Sequence, residues 1–109
     1  MKNREIYNKV LKSYKEIVKE FYGDYLRYYK AHIIYEIIDE IDNQGLDITD
    51  EEEEMLCDYV YNAYLEYDGT NISIYNIVYT INELITNDKM SVKDILAMNT
   101  NDFCNQIII

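Results

Sequence analysis

Three groups of residues in this chain could do chemistry: a lone histidine with a carboxylate one turn away, two cysteines, and a run of acids around a glycine. His32 and Glu36 have the i,i+4 spacing of an acid/base or metal pair. A catalytic or metal site needs more converging groups than these two, so the plain reading is a contact along one helix face. Cys57 and Cys104 stand far apart, with no CxxC pattern and no histidine pair. They read as reduced, partly buried thiols, and spacing alone leaves their pairing open. The segment EIDNQGLDITDE, Glu40 to Glu51, has a glycine at position six and a glutamate at position twelve, as an EF-hand calcium loop does. Its first position is Glu40 instead of aspartate, its fifth is Gln44, and its usually aliphatic eighth is Asp47, so the calcium pattern fits only in part and a divalent-ion binder stands as a third reading. No P-loop, GxSxG or HExxH motif occurs. The expectation is a protein that is not an enzyme and that uses no cofactor or metal.

What remains is the charge itself. The stretch DITDEEEEMLCDY, residues 47 to 59, sets four glutamates in a row behind an aspartate. The net charge of −11 is unevenly spread: residues 1 to 30 hold eight basic residues against four acids, whereas residues 31 to 88 hold 15 acids and no Lys or Arg. Part of the run has a local cause, because carboxylates in the first turn of a helix meet free N–H groups and the positive end of the dipole, each worth about 0.3–1 kcal/mol. That accounts for Asp50, Glu51 and Glu52. Like charges about 6 Å apart elsewhere repel by roughly 0.7 kcal/mol per pair even in bulk water. An ordinary solvated helix alternates signs instead.

The elements that must carry these residues read as helices. A chain of 109 residues with no proline, no tryptophan and only three glycines suits one helical domain, and 49% apolar residues suffice for a core. The first helix is predicted from near Arg4 to Tyr22, burying Ile6, Val10, Leu11, Tyr14, Ile17, Val18 and Phe21. Gly23 would stop it, and Asp24 would cap a second helix running to about Asn43. The centre of that second helix, AHIIYEII, is apolar nearly all round, as in a helix on which others pack. After Gly45, Thr49 and Glu52 form a capping box for a third helix to about Tyr67, burying Leu56, Val60, Ala63 and Tyr64. Asp68 and Gly69 break it. Ser73 caps a fourth helix with the face Ile74, Ile77, Val78, Ile81, Leu84 and Ile85. Two short helices follow, capped by Ser91 and Thr100, and the terminal triple isoleucine either docks on the core or marks a contact. The predicted architecture is all-α: one domain over residues 1–109, with four main helices and one or two short C-terminal ones.

No secretory h-region precedes the first helix, and AHIIYEII is too short to span a bilayer, so a cytoplasmic location is expected. Thirteen tyrosines are many for this length. Most read as core-edge packing with the hydroxyl reaching water. Tyr61 and Tyr75, off the main apolar faces of their helices, are the ones predicted to meet a partner.

Carboxylates on successive helical turns lie about 5–6 Å apart, a spacing of the same order as phosphates along a nucleic-acid strand. In its charge distribution, and not through any motif, the chain resembles the small acidic proteins with which phages and mobile elements disable host defence, such as DNA-mimic inhibitors and some anti-CRISPR proteins. The resemblance covers about half the chain, from Ala31 to Asp88. The abundance of Ile, Asn, Lys, Tyr, Asp and Glu, favoured by AT-rich codons, suits a low-GC bacterial host. The resemblance implies an inhibitor or adaptor that docks on the basic groove of a nucleic-acid-binding protein, a CRISPR effector or other defence nuclease among them. The docking surface would be Asp39, Glu40, Asp42, Asp47, Asp50, Glu51, Glu52, Glu53, Glu54 and Asp58 with Tyr61 and Tyr75, and reversing Glu51, Glu53 and Glu54 together is expected to abolish binding. The same charge argues against direct contact with nucleic acid or an anionic membrane. The alternative is a small helical regulatory subunit, antitoxin-like, that binds through apolar contacts of the fourth helix and the isoleucine tail, the acids serving solubility. Sequence leaves the oligomeric state open.

Overall fold

Side-chain caps fix where most of the helices begin. Thr49, Ser73 and Ser91 each accept a hydrogen bond from the N–H three residues on, and the side chains of Glu52, Asn76 and Asp94 accept one from the N–H of the cap. Each box satisfies two donors that a helix start otherwise leaves without partners. The computed structural model describes residues 1–12, 25–67 and 72–108. Its helices are α1 (Lys2–Lys12), α2 (Tyr25–Gln44), α3 (Asp50–Glu66), α4 (Ile74–Thr86), α5 (Val92–Leu96) and α6 (Thr100–Cys104), with no strand among the described residues. Gly45, at φ +69°, takes the left-handed conformation that closes α2. The predicted continuation of the first helix to Tyr22, the Gly23 stop, the Asp24 cap, the break at Asp68 and Gly69, and Ile109 lie outside the described residues.

Two helices hold the fold together. α2 packs against α1, α3 and α4, and α3 packs against every other described helix. One core joins them: Ile34, Ile37 and Ile38 of α2, Leu56 and Val60 of α3, Ile77, Val78 and Ile81 of α4, Ile95 of α5 and Phe103 of α6 are all buried. This is the all-α architecture expected, with α2 as the apolar helix on which others pack. Ile107 packs against the core, and the backbone of Ile108 is tied at both ends: its N–H donates to Thr80 Oγ1 at 2.9 Å and its carbonyl accepts from Asn76 Nδ2 at 3.2 Å. The tail therefore docks.

Two local expectations are corrected. The N-cap of α6 is Asn99, whose side chain accepts from Asn101 N–H at 2.8 Å; Thr100 is the first helical residue and gives its hydroxyl to Glu66 instead. In α1, Leu11 was expected inside but is 61% exposed, while the polar Asn3 is buried at 3%. α1 is seated by polar contacts at its N-terminal end, and those contacts define the acidic site.

Candidate functional site: an acidic corner and a lysine-lined groove

The chain reverses direction between the end of α2 and the start of α3. Asp39, Glu40 and Asp42 lie in the last turns of α2, Asp47 in the link, Asp50, Glu51, Glu52, Glu53 and Glu54 in the first turns of α3, and Asp58 one turn further. The ten acids named from sequence therefore flank one link, on the last turns of α2 and the first turns of α3. On α3 the dipole favours them; at the end of α2 it opposes them, and no basic residue stands in that last turn.

The compensating cation comes from α1. Arg4 grips Asp42 through two parallel bonds, Nη1 to Oδ2 at 2.9 Å and Nη2 to Oδ1 at 3.0 Å. The same guanidinium reaches Glu53 through Nε at 3.2 Å and through Nη2. One side chain thus ties α2 to α3 across the corner. Asp42, with Glu53 alongside, pushes the guanidinium pKa further above its ordinary value despite partial burial. Asn3 completes the seat. Its backbone N–H donates to both carboxylate oxygens of Glu54 at 3.0 and 3.3 Å, so Glu54 caps α1 from a different helix. Its amide donates to Glu54 O at 3.3 Å and to Asp58 Oδ1 at 2.9 Å. Behind Arg4, its guanidinium carbon lies 5.0 Å from the centroid of Tyr7, which stacks on Tyr35 at 5.1 Å. Burial, helped by Asp39 and Asp42, raises the pKa of the Tyr7 hydroxyl.

Four of the ten acids are thereby engaged in seating α1: Asp42, Glu53, Glu54 and Asp58. Glu53 is 8% exposed and cannot meet a partner without displacing Arg4. Glu52 serves the capping box, Asp39 accepts from Asn43 Nδ2, and Glu40 accepts from Gln44 Nε2 at 3.1 Å. Asp47, Asp50 and Glu51 are exposed. The countercharge for Asp42 and Glu53 lies 38 and 49 positions upstream, outside the basic-free span.

The two candidate tyrosines separate. Tyr75 is 51% exposed and stacks with Tyr79 at 6.0 Å, and its carbonyl accepts from Gln44, so it stands beside the acidic corner. Tyr61 is half-buried, with the Lys30 ammonium 4.9 Å from its ring centroid. Lys30 precedes Gln44 by fourteen residues of α2, which is about 21 Å along the helix axis. Tyr61 belongs instead to a groove of about 580 Å³ between α1, α2 and α3, with Lys2, Lys9 and Lys30 in its walls and Ile6, Ala31 and Ile34 among its lining. Sequence reading missed this groove because its lysines lie on two helices.

The remaining chemical candidates resolve simply. His32 is half-buried on α2 while Glu36 is exposed. Glu40 to Gln44, the first half of the calcium-like segment, are helical. Cys57 and Cys104 are free and buried, and burial raises both thiol pKa values, that of Cys57 far above its ordinary value. Among the described residues no three His, Cys, Asp or Glu side chains are grouped to hold a metal ion, and no helix is long and apolar enough to cross a membrane. No protein-family model matches the chain, and no curated protein or solved structure is significantly similar to it.

Proposed function

We propose that the protein is a non-enzymatic inhibitor or adaptor whose α2–α3 corner docks into a basic groove of a nucleic-acid-binding protein. The observation that carries this reading is the exposure of Asp47, Asp50 and Glu51 on the short link and first turn that follow α2, left over after α1 has taken Asp42, Glu53, Glu54 and Asp58. Glu40 and the exposed ring of Tyr75 extend the surface, adding apolar area at low entropic cost. Such a field speeds association and makes it salt-sensitive.

The test reverses charge at Asp47→Lys, Asp50→Lys and Glu51→Lys together, sparing Glu53 and Glu54, whose reversal would unseat α1. The parent is used at low salt to capture bacterial nucleic-acid-binding proteins, which are then eluted with salt or competing duplex DNA. Capture lost in the triple variant, and displaced by DNA from the parent, supports the reading. Equal capture by a folded triple variant rules out the corner. Exposed Tyr75 and Ile108 favour a second reading, an apolar interaction module using α4 and the tail. Sizing chromatography separates the two, since a salt-insensitive oligomer belongs to the second.

A further inference from the structure

We propose that the outer face of α4 takes an arginine side chain of a partner protein, the guanidinium lying over Tyr75 and Tyr79 and pairing with Glu83. The identity of that partner as a basic protein rests on the reading of the α2–α3 corner given above. Residues 75, 79 and 83 follow at four-residue steps, so they form one stripe along α4. Tyr75 is 51% exposed, and its ring stands 6.0 Å from that of Tyr79, the two nearly parallel at 9°. Glu83 lies at the Tyr79 end, where its charge raises the pKa of the Tyr79 hydroxyl. Glu40 lies at the Tyr75 end: Gln44 Nε2 donates to its carboxylate at 3.1 Å and to Tyr75 O at 3.3 Å.

The charge on this face is uncompensated from within. Glu83 accepts from Asn87 Nδ2 and Glu40 from Gln44 Nε2, both neutral amides. Among the described residues neither carboxylate is in an ion pair, and residues 31 to 88 contain no Lys or Arg. Lys89, the next basic residue along the chain, is exposed and lies beyond the C-cap Asn87. The fold itself shows what a stacked tyrosine pair with adjoining carboxylates holds. Tyr7 stacks on Tyr35, and Arg4 lies 5.0 Å from the Tyr7 centroid while it pairs with Asp42 and Glu53. Tyr75, Tyr79 and Glu83 repeat the rings and the anion on an outward face. The chemistry selects arginine over lysine, because a planar guanidinium stacks on a ring while its edge bonds a carboxylate.

The experiment titrates isotope-labelled protein at low salt with the peptide acetyl-Gly-Arg-Gly-Arg-Gly-amide and with its lysine and citrulline counterparts, each to about 10 mM, where a millimolar site fills. The arginine peptide should move the ring signals of Tyr75 and Tyr79 and the amide of Glu83, ahead of the lysine peptide and far ahead of the neutral citrulline one. Tyr75→Leu keeps apolar area but removes the ring, and should weaken this binding about two- to fivefold, the worth of an exposed cation–π contact. Glu83→Gln should weaken it by a similar factor. Asp102→Asn, the same loss of one charge at an exposed position on α6, should leave it unchanged. Melting curves report that each variant folds. Three outcomes overturn the proposal: lysine or citrulline peptide binding as tightly as arginine, Glu83→Gln and Tyr75→Leu both binding like the parent, or shifts confined to Asp47, Asp50 and Glu51. The corner and the α4 face fail separately. Arginine-selective shifts at Tyr75 and Tyr79 that persist in the Asp47→Lys, Asp50→Lys, Glu51→Lys variant uphold this face whether or not that variant still captures its partners.

Discussion

Arg4→Ala should cost about 2–4 kcal/mol of folding stability. The figure follows from the two halves of the clamp. Asp42 and Arg4 have side chains 42% and 32% exposed, and a pair that open is worth about 0–1 kcal/mol. Glu53 is different: its side chain is 11% exposed, and removing its cation leaves a nearly buried carboxylate uncompensated. Breaking a fully buried pair costs about 3–5 kcal/mol, and access of water through the space left by Arg4 reduces that here. Urea denaturation gives the value directly. Hydrogen exchange adds a spatial readout, because α1 amides should lose protection before those of α2 and α3. Adding Glu53→Gln to Arg4→Ala removes the stranded charge, so the double variant should be more stable than Arg4→Ala alone, with a coupling of about 1–3 kcal/mol. Arg4→Lys should recover little, since one ammonium cannot reproduce the fork that spans two carboxylates. A loss below about 1 kcal/mol for Arg4→Ala, or no recovery in the double variant, would refute the clamp.

Further expectations can be checked on the same material. Tyr59 is buried, its hydroxyl donates to Met98 O at 2.9 Å, and burial pushes its pKa up to about 12 from 10.0. A raised folded pKa means stability fully present below pH 10 and lost as pH rises through 12, a loss of roughly 2–3 kcal/mol; Tyr59→Phe should show correspondingly less alkaline loss in parallel melts. Asp94 is held below the ordinary aspartate range by the backbone and hydroxyl of Ser91. Its contribution is present above the unfolded value and is lost as pH falls through the folded one, so Asp94→Asn should flatten the acid limb of the stability curve. Thr80→Val removes a buried hydroxyl that donates to Asn76 O at 2.8 Å and accepts from Ile108 N–H, and should cost about 1–3 kcal/mol and release the tail to exchange. An unchanged melting midpoint would count against the tail being docked.

The sequence by itself determined the local structure. The apolar spacing of α2 and α4, the capping pair Thr49/Glu52, the Ser73 and Ser91 caps and the stop at Gly45 act within three or four residues, and each was legible in order along the chain. The density of acids on either side of one short link was also legible. Only the tertiary structure decided what those acids do. Arg4 and Asn3 reach Asp42, Glu53, Glu54 and Asp58 across 38 to 55 positions, so no local pattern announces that four acids of the apparent patch seat a helix. The same holds for Tyr61 and Tyr75, alike in sequence, which α2 separates into a lysine-lined groove and an acidic corner. Short-range hydrogen bonds and periodicity are written in neighbouring residues, whereas charge compensation depends on which distant helices the core brings together.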